Sequence, residues 1–255
     1  MMYTPKEREQ YFTSAINRLS SSEFIEGIVQ LGSGVKGYKY RYSDIDLMVA
    51  AYGLVEIEKE KTFVHQFFHD LPSVYIKELK LREHIYLIIA FMENGLEFNV
   101  SILSREYLNV KSPLWKVVVD KTGEVSKKMK TAHEQFLQTN YVISDDPSFE
   151  FSYCMRKFQT ELKRHNLIYA LKMLEAMRDL TLQIEILNEN KKLHQFKAYE
   201  TLEPEFINKF LQTYPDEINE ESLVESAERL KELFFAIIKV NSSHSVDESF
   251  HRMIN

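Results

Sequence analysis

The sequence predicts an α+β protein: a mixed sheet flanked by helices, followed by a helical bundle. Three observations carry this. Apolar runs of five to eight residues crowd the first 120 positions, separated by glycine or charged turns. Beyond about residue 125 the apolar spacing turns helical almost to the end. Finally, 255 residues with 44% hydrophobic and 27% charged side chains suit one large domain or two smaller ones. The expected division is 1–125 and 126–255.

Taken in order, Thr4-Pro5-Lys6-Glu7 reads as a capping box with proline in the first turn. It opens a helix to about Leu19 whose apolar stripe is Tyr11, Phe12, Ala15, Ile16 and Leu19. FIEGIVQL (24–31) and DIDLMVA (44–50) read as strands, with a helix following from about Val55 to His69. Three further strands are expected near 73–80, 84–92 and 96–102, the last two joined by a Glu93-Asn94-Gly95 turn. Within them, YLIIAFM (86–92) is apolar throughout and reads as a buried strand. KVVVD (116–120) is a short sixth strand. SDDP (144–147) marks a boundary, and helices are expected near 149–165, 167–189, 204–213 and 221–240.

Composition narrows the function. No apolar run approaches the roughly 20 residues that span a bilayer, and MMYTPKEREQ lacks the hydrophobic segment of a secretory signal, so a cytoplasmic protein is expected. A single cysteine, Cys154, rules out an intramolecular disulfide. Residues 1–140 carry 18 basic and 18 acidic side chains, and residues 141–255 carry 14 and 20, so the net charge of −6 lies wholly in the second part. Such a distribution argues against nucleic acid as a partner and suits a cationic one.

The chemistry concentrates in QLGSGVKGYKYRYSDIDLMVA (30–50). Asp44 and Asp46 sit two residues apart, hence on one strand face, inside an otherwise apolar strand. Like charges so placed repel, and desolvation adds to the cost, so a cation is expected between them. Ahead of them Gly32, Ser33, Gly34 and Gly37 form a turn able to bring backbone close to phosphate, with Lys36, Lys39 and Arg41 supplying positive charge. Mg²⁺ takes one or two carboxylates together with phosphate oxygens, so the segment predicts a Mg²⁺–nucleotide site.

GSGVKGYKYRYSDIDL resembles the signature of the DNA polymerase β-like nucleotidyltransferase superfamily at Gly32, Ser33, Gly37, Ser43, Asp44, Asp46 and Leu47. The resemblance implies that Gly32 and Ser33, with Lys36 and Ser43, surround the triphosphate and that Asp44 and Asp46 bind metal. It also implies a third acid on a later strand; in GLEFNVSIL (95–103) that position holds Asn99, and Glu97, two residues earlier on the same face, is the substitute carboxylate. The arrangement of a catalytic domain followed by helices is similar to the aminoglycoside and lincosamide nucleotidyltransferases. It implies transfer of AMP from ATP to a hydroxyl of a small acceptor, and the acidic second part suits a cationic one such as an aminoglycoside. Two alternatives remain open: a protein or RNA acceptor, and a nucleotide-binding protein whose catalysis was lost at Asn99. On the helix near 167–189, Leu171, Leu174, Arg178, Thr181 and Glu185 share a stripe, which makes Arg178 and Glu185 acceptor-side candidates.

Overall fold

A computed structural model describes residues 2–37, 41–138, 146–191 and 199–238. The chain divides into two compact units, Met1–Thr139 and Asn140–Asn255. The boundary expected at 125/126 therefore falls inside a helix, α3 (Glu124–Gln138), that belongs to the first unit. Its apolar residues Val125, Met129, Ala132 and Phe136 are buried against the sheet of that unit, which is why it cannot open the second.

The first unit opens with α1 (Pro5–Ser20). Both bonds of the capping box form: the Glu7 N–H donates to Thr4 Oγ1 at 3.2 Å and the Thr4 N–H to Glu7 Oε2 at 2.7 Å. Then come β1 (Ile25–Leu31), a 3₁₀ turn (Gly32–Lys36), β2 (Ile45–Ala51), α2 (Ile57–His69), β3 (Ser73–Arg82), β4 (Ile85–Met92), β5 (Glu97–Ser104), β6 (Trp115–Asp120) and α3. The six strands form one sheet in the order β3-β4-β5-β2-β1-β6. Its central β2–β5 pair is parallel and every other pair antiparallel.

The period-2 alternation of strand side chains sorts this sheet into two faces. One carries Ile45, Leu47 and Val49 of β2, Phe98, Val100 and Ile102 of β5, and Ile88 and Ala90 of β4, all buried under α1 and α2. The opposite face carries Val29, Met48, Ala50 and Leu103, covered by α3 together with Leu108 and Val110. β4, expected as a buried strand, is fully buried on one face only. Tyr86, Ile88, Ala90 and Met92 are buried, but Ile85, Leu87 and Ile89 are only partly covered and Phe91 is exposed.

The second unit contains α4 (Pro147–Lys163), α5 (Leu167–Asn188), α6 (Pro204–Leu211) and α7 (Glu220–Ile238). Asp146 caps α4 by accepting from the Phe149 N–H at 2.9 Å; the rest of the SDDP boundary before it lies outside the described residues. α5 is apolar on nearly every side and packs between α4 and α7, burying Leu174, Met177 and Ile184 with Phe151, Leu230 and Phe234. No helix among the described residues is long and apolar enough to cross a membrane.

Candidate functional site

β1 runs directly into the 3₁₀ turn, and the turn lies against the start of β2. Gly32 makes this possible. Its φ of +68° belongs to the left-handed region, and a Cβ there would meet Asp46 Oδ2 at 2.8 Å. Any other residue would be strained and would push the carboxylate away. The Gly32 N–H donates to the Leu114 carbonyl at 3.1 Å, so Gly32 shapes the turn without offering that donor to a ligand. Ser33 is partly exposed within the turn and Lys36 is exposed at its end; Lys39, with Tyr38 and Tyr40, lies outside the described residues.

The expected face separation of the two aspartates is present. Ile45 is fully buried, while Asp44 and Asp46 on either side of it are half-buried. The parallel register sets Asp46 beside Asn99 and Ile45 beside Phe98. Asn99 Nδ2 donates to Asp44 Oδ2 at 3.1 Å, so the residue in the third-acid position holds one of the aspartates in place. Glu97 and Asn99 are half-buried on the face opposite the buried Phe98 and Val100. The backbone of Glu97 lies two residues before the Asp46–Asn99 level, on the same strand face. Among the described residues no three His, Cys, Asp or Glu side chains gather as a metal group.

Two positioning residues escaped the sequence reading. Tyr3, almost wholly buried, donates its phenol to the Ser43 carbonyl at 2.9 Å. Arg8 of α1, also buried, donates through Nη1 to the Arg41 carbonyl at 2.9 Å and more weakly to that of Ser43 at 3.4 Å. Together they hold the backbone that delivers Asp44. Burial pushes the Tyr3 phenol up; the neighbouring Arg8 lowers it, and the charges of Asp44 and Glu97 raise it. Arg8 was legible, because it continues the apolar stripe of α1 one turn back from Tyr11 and Phe12, where a surface arginine does not belong.

The two acceptor-side candidates on α5 lie apart in role. Arg178 is 1% exposed and fully engaged. Its Nε donates to Thr213 Oγ1 at 3.2 Å, Nη1 to Glu175 Oε1 at 2.8 Å, and Nη2 to Ser226 Oγ at 2.8 Å and to the Thr213 carbonyl. The guanidinium also lies 4.1 Å from the Tyr214 ring. This is an internal brace between α5, the α6–α7 connection and α7, and it offers no donor face to an acceptor. Glu185 is half-buried and accepts from Asn188 Nδ2 at 3.3 Å; burial raises its carboxyl above the ordinary range.

No protein-family model matches the chain, and no curated protein matches it. Among solved structures it is similar to an aminoglycoside 6-adenyltransferase from Bacillus subtilis at 13% identity and a TM-score of 0.44, over 99% of this chain and 96% of that one. It is also similar to a nucleotidyltransferase-like protein from Exiguobacterium sibiricum 255-15 at 11% identity and a TM-score of 0.37, over 91% of this chain and 76% of that one. At these identities and scores the likeness assigns neither activity nor substrate to this chain.

Proposed function

We propose that this chain is an enzyme, a nucleotidyltransferase that moves a nucleoside monophosphate, AMP from ATP, to a hydroxyl of a small molecule and releases pyrophosphate. The observation that supports it most is the close approach of the glycine turn to Asp46, with a Cβ position 2.8 Å from the carboxylate oxygen. A turn that tight against a carboxylate, beside a second carboxylate fixed by Asn99, gathers phosphate-binding backbone and hard oxygen donors at one point. That donor set fits Mg²⁺, whose remaining ligands come from phosphate oxygens and water. Asp44 and Asp46 would hold the ion, and when bound it neutralises charge on the triphosphate.

The chain's own residues do the rest. Ser33 and the 3₁₀ turn hold the triphosphate, Lys36 offers charge at the exposed end, and the Asn99 amide fixes Asp44. The acceptor oxygen attacks the α-phosphorus, the bond to the pyrophosphate oxygen breaks, and the acceptor proton passes to Glu97. Rate enhancement comes chiefly from positioning and charge neutralisation.

One observation favours a second reading, a nucleotide-binding protein with little turnover: Asn99 carries an amide that cannot take a proton, and it is spent on Asp44. Pyrophosphate release by wild type, Glu97→Gln and Asn99→Asp separates the two. The enzyme reading expects Glu97→Gln to lose about a hundredfold or more and Asn99→Asp to gain nothing. A silent wild type awakened by Asn99→Asp would establish the second reading instead.

A further inference from the structure

β4 carries more apolar side chains than its burial requires. An antiparallel pair with one face open to water ordinarily alternates apolar with polar residues. Here the uncovered face of β4 presents Leu87, Ile89 and Phe91, the last 37% exposed. Its neighbour β3 adds Tyr75, 57% exposed, and Leu79, 36% exposed, with Lys77 between them. Paired residues point the same way, and the pairs are Tyr75–Phe91, Lys77–Ile89 and Leu79–Leu87.

The same rows lead into the candidate site. Phe91 pairs with Glu97, Ile89 with Asn99, and Asn99 with Asp46. Asp46 in turn faces Leu31, and Leu31 faces Trp115. One row thus crosses the whole sheet: Lys77, Ile89, Asn99, Asp46, Leu31, Trp115. On the β1–β6 side it runs into Leu31 and Trp115, packed in the cluster that α3 covers. On the β4–β3 side it runs over half-buried Ile89 to exposed Lys77, flanked by the exposed apolar side chains of Phe91, Tyr75 and Leu79. A molecule whose hydroxyl lies at Glu97 and Asp46 can extend along this face toward β4 and β3, away from the part that α3 covers.

From this continuity we infer that the strip formed by Phe91, Ile89, Leu87 and Tyr75 is the acceptor subsite, and that the acceptor is a hydroxylated molecule with an apolar or aromatic body. The inference rests on the transfer reaction proposed above and narrows its substrate class. Two strand spacings separate β2 from β4, so the apolar part lies roughly 10 Å from the reacting hydroxyl. Such a floor of apolar side chains beside a few polar groups is the usual composition of a small-molecule site. A polycation, the partner suggested by the acidic second part of the chain, would leave this strip in water and meet Lys77 within it.

The test uses the full chain with Mg²⁺ and ATP, and two probes: 6-phenylhexan-1-ol, whose ring and hydroxyl match that spacing, and kanamycin, a polycation. Saturation-transfer NMR reads probe binding, pyrophosphate release reads transfer, and calorimetry reads ATP affinity. Phe91→Ser and Ile89→Asn serve as variants, with melting curves to confirm folding. Phenylhexanol is expected to bind and to accept AMP. Each variant should weaken it about tenfold while ATP affinity stays within about twofold and kanamycin is unchanged. ATP bound by wild type with no phenylhexanol signal overturns the subsite. Variants that weaken ATP itself would give the strip to the nucleotide base, and variants that turn a dimer into a monomer by light scattering would give it to a second copy; either result overturns the inference. Wild type that binds no ATP removes the underlying reaction, a failure read in a separate channel.

Discussion

Two polar clusters sit among apolar side chains in this protein, and they are built on opposite plans. In the second unit, Arg178 is buried with Thr213, Ser226, Glu175 and Tyr214 around it, so a single charge is absorbed by acceptors of its own unit. In the first unit, Asp44, Asp46 and Glu97 bring charges of one sign to one region, half-buried, and the residue set among them is a neutral amide. The first plan closes on itself and gives a rigid joint. The second leaves carboxylates half-buried at a surface that water and solutes reach, the arrangement that suits the cation proposed above.

The largest effect should come from breaking the open cluster. Asp44→Asn and Asp46→Asn should each lower turnover by about 10³-fold or more, while the melting temperature holds or rises because like charges are removed. A fall in both together would mean that the aspartates serve folding. Breaking the closed cluster should do the reverse. Arg178→Met should cost about 3 kcal/mol of stability in denaturant unfolding, and the folded fraction should keep its ATP affinity.

Glu60 of α2 sharpens the contrast, being a buried carboxyl with neither plan. It is 0% exposed, and neither oxygen has a hydrogen-bond partner among the described residues. Burial raises its pKa well above the ordinary carboxylate value. The native state therefore keeps a proton that the unfolded chain releases, so stability falls as pH rises from the ordinary carboxylate value toward the raised one. Glu60→Leu should stabilise by about 1–3 kcal/mol at pH 8 and by less at pH 5, measured by chemical denaturation at both. The smallest effect should come from Gly32→Ala, about 1–2 kcal/mol from the positive φ, expressed mainly as weaker ATP binding because the new methyl displaces Asp46.

Much of this was legible in the sequence because its signals are local. The capping box at Thr4, the period-2 alternation around Ile45 and the turn at Gly95 each act within a few residues, and the elements that were expected stand within two or three positions of their places, whereas α3 was not among them. The Asp44–Asp46 pair was visible as charges inside an apolar strand, and the substitution at Asn99 through the resemblance of the motif to a known signature, while the parallel register that sets Asp46 beside Asn99 comes from the structure. What escaped depends on partners distant in the chain. Helix α3 belongs to the first unit through contacts with Val29 and Met48, some eighty residues or more away. Arg178 read as either a buried or a cleft-facing charge because the groups that absorb it, Thr213 and Ser226, lie on other elements. The less covered face of β4 is hidden for the same reason: an apolar run reads as a buried strand, and only the packing shows that one of its faces is partly exposed.

The central claim is that the open acidic cluster takes a Mg²⁺-bound nucleoside triphosphate. The most direct test is calorimetric titration of the purified chain with ATP, with and without Mg²⁺, in wild type and in the Asp44→Asn/Asp46→Asn double variant. Saturable binding in wild type that requires Mg²⁺ and disappears in the double variant is the predicted result. Binding of equal strength in the two proteins, or none by wild type at millimolar ATP, would contradict it.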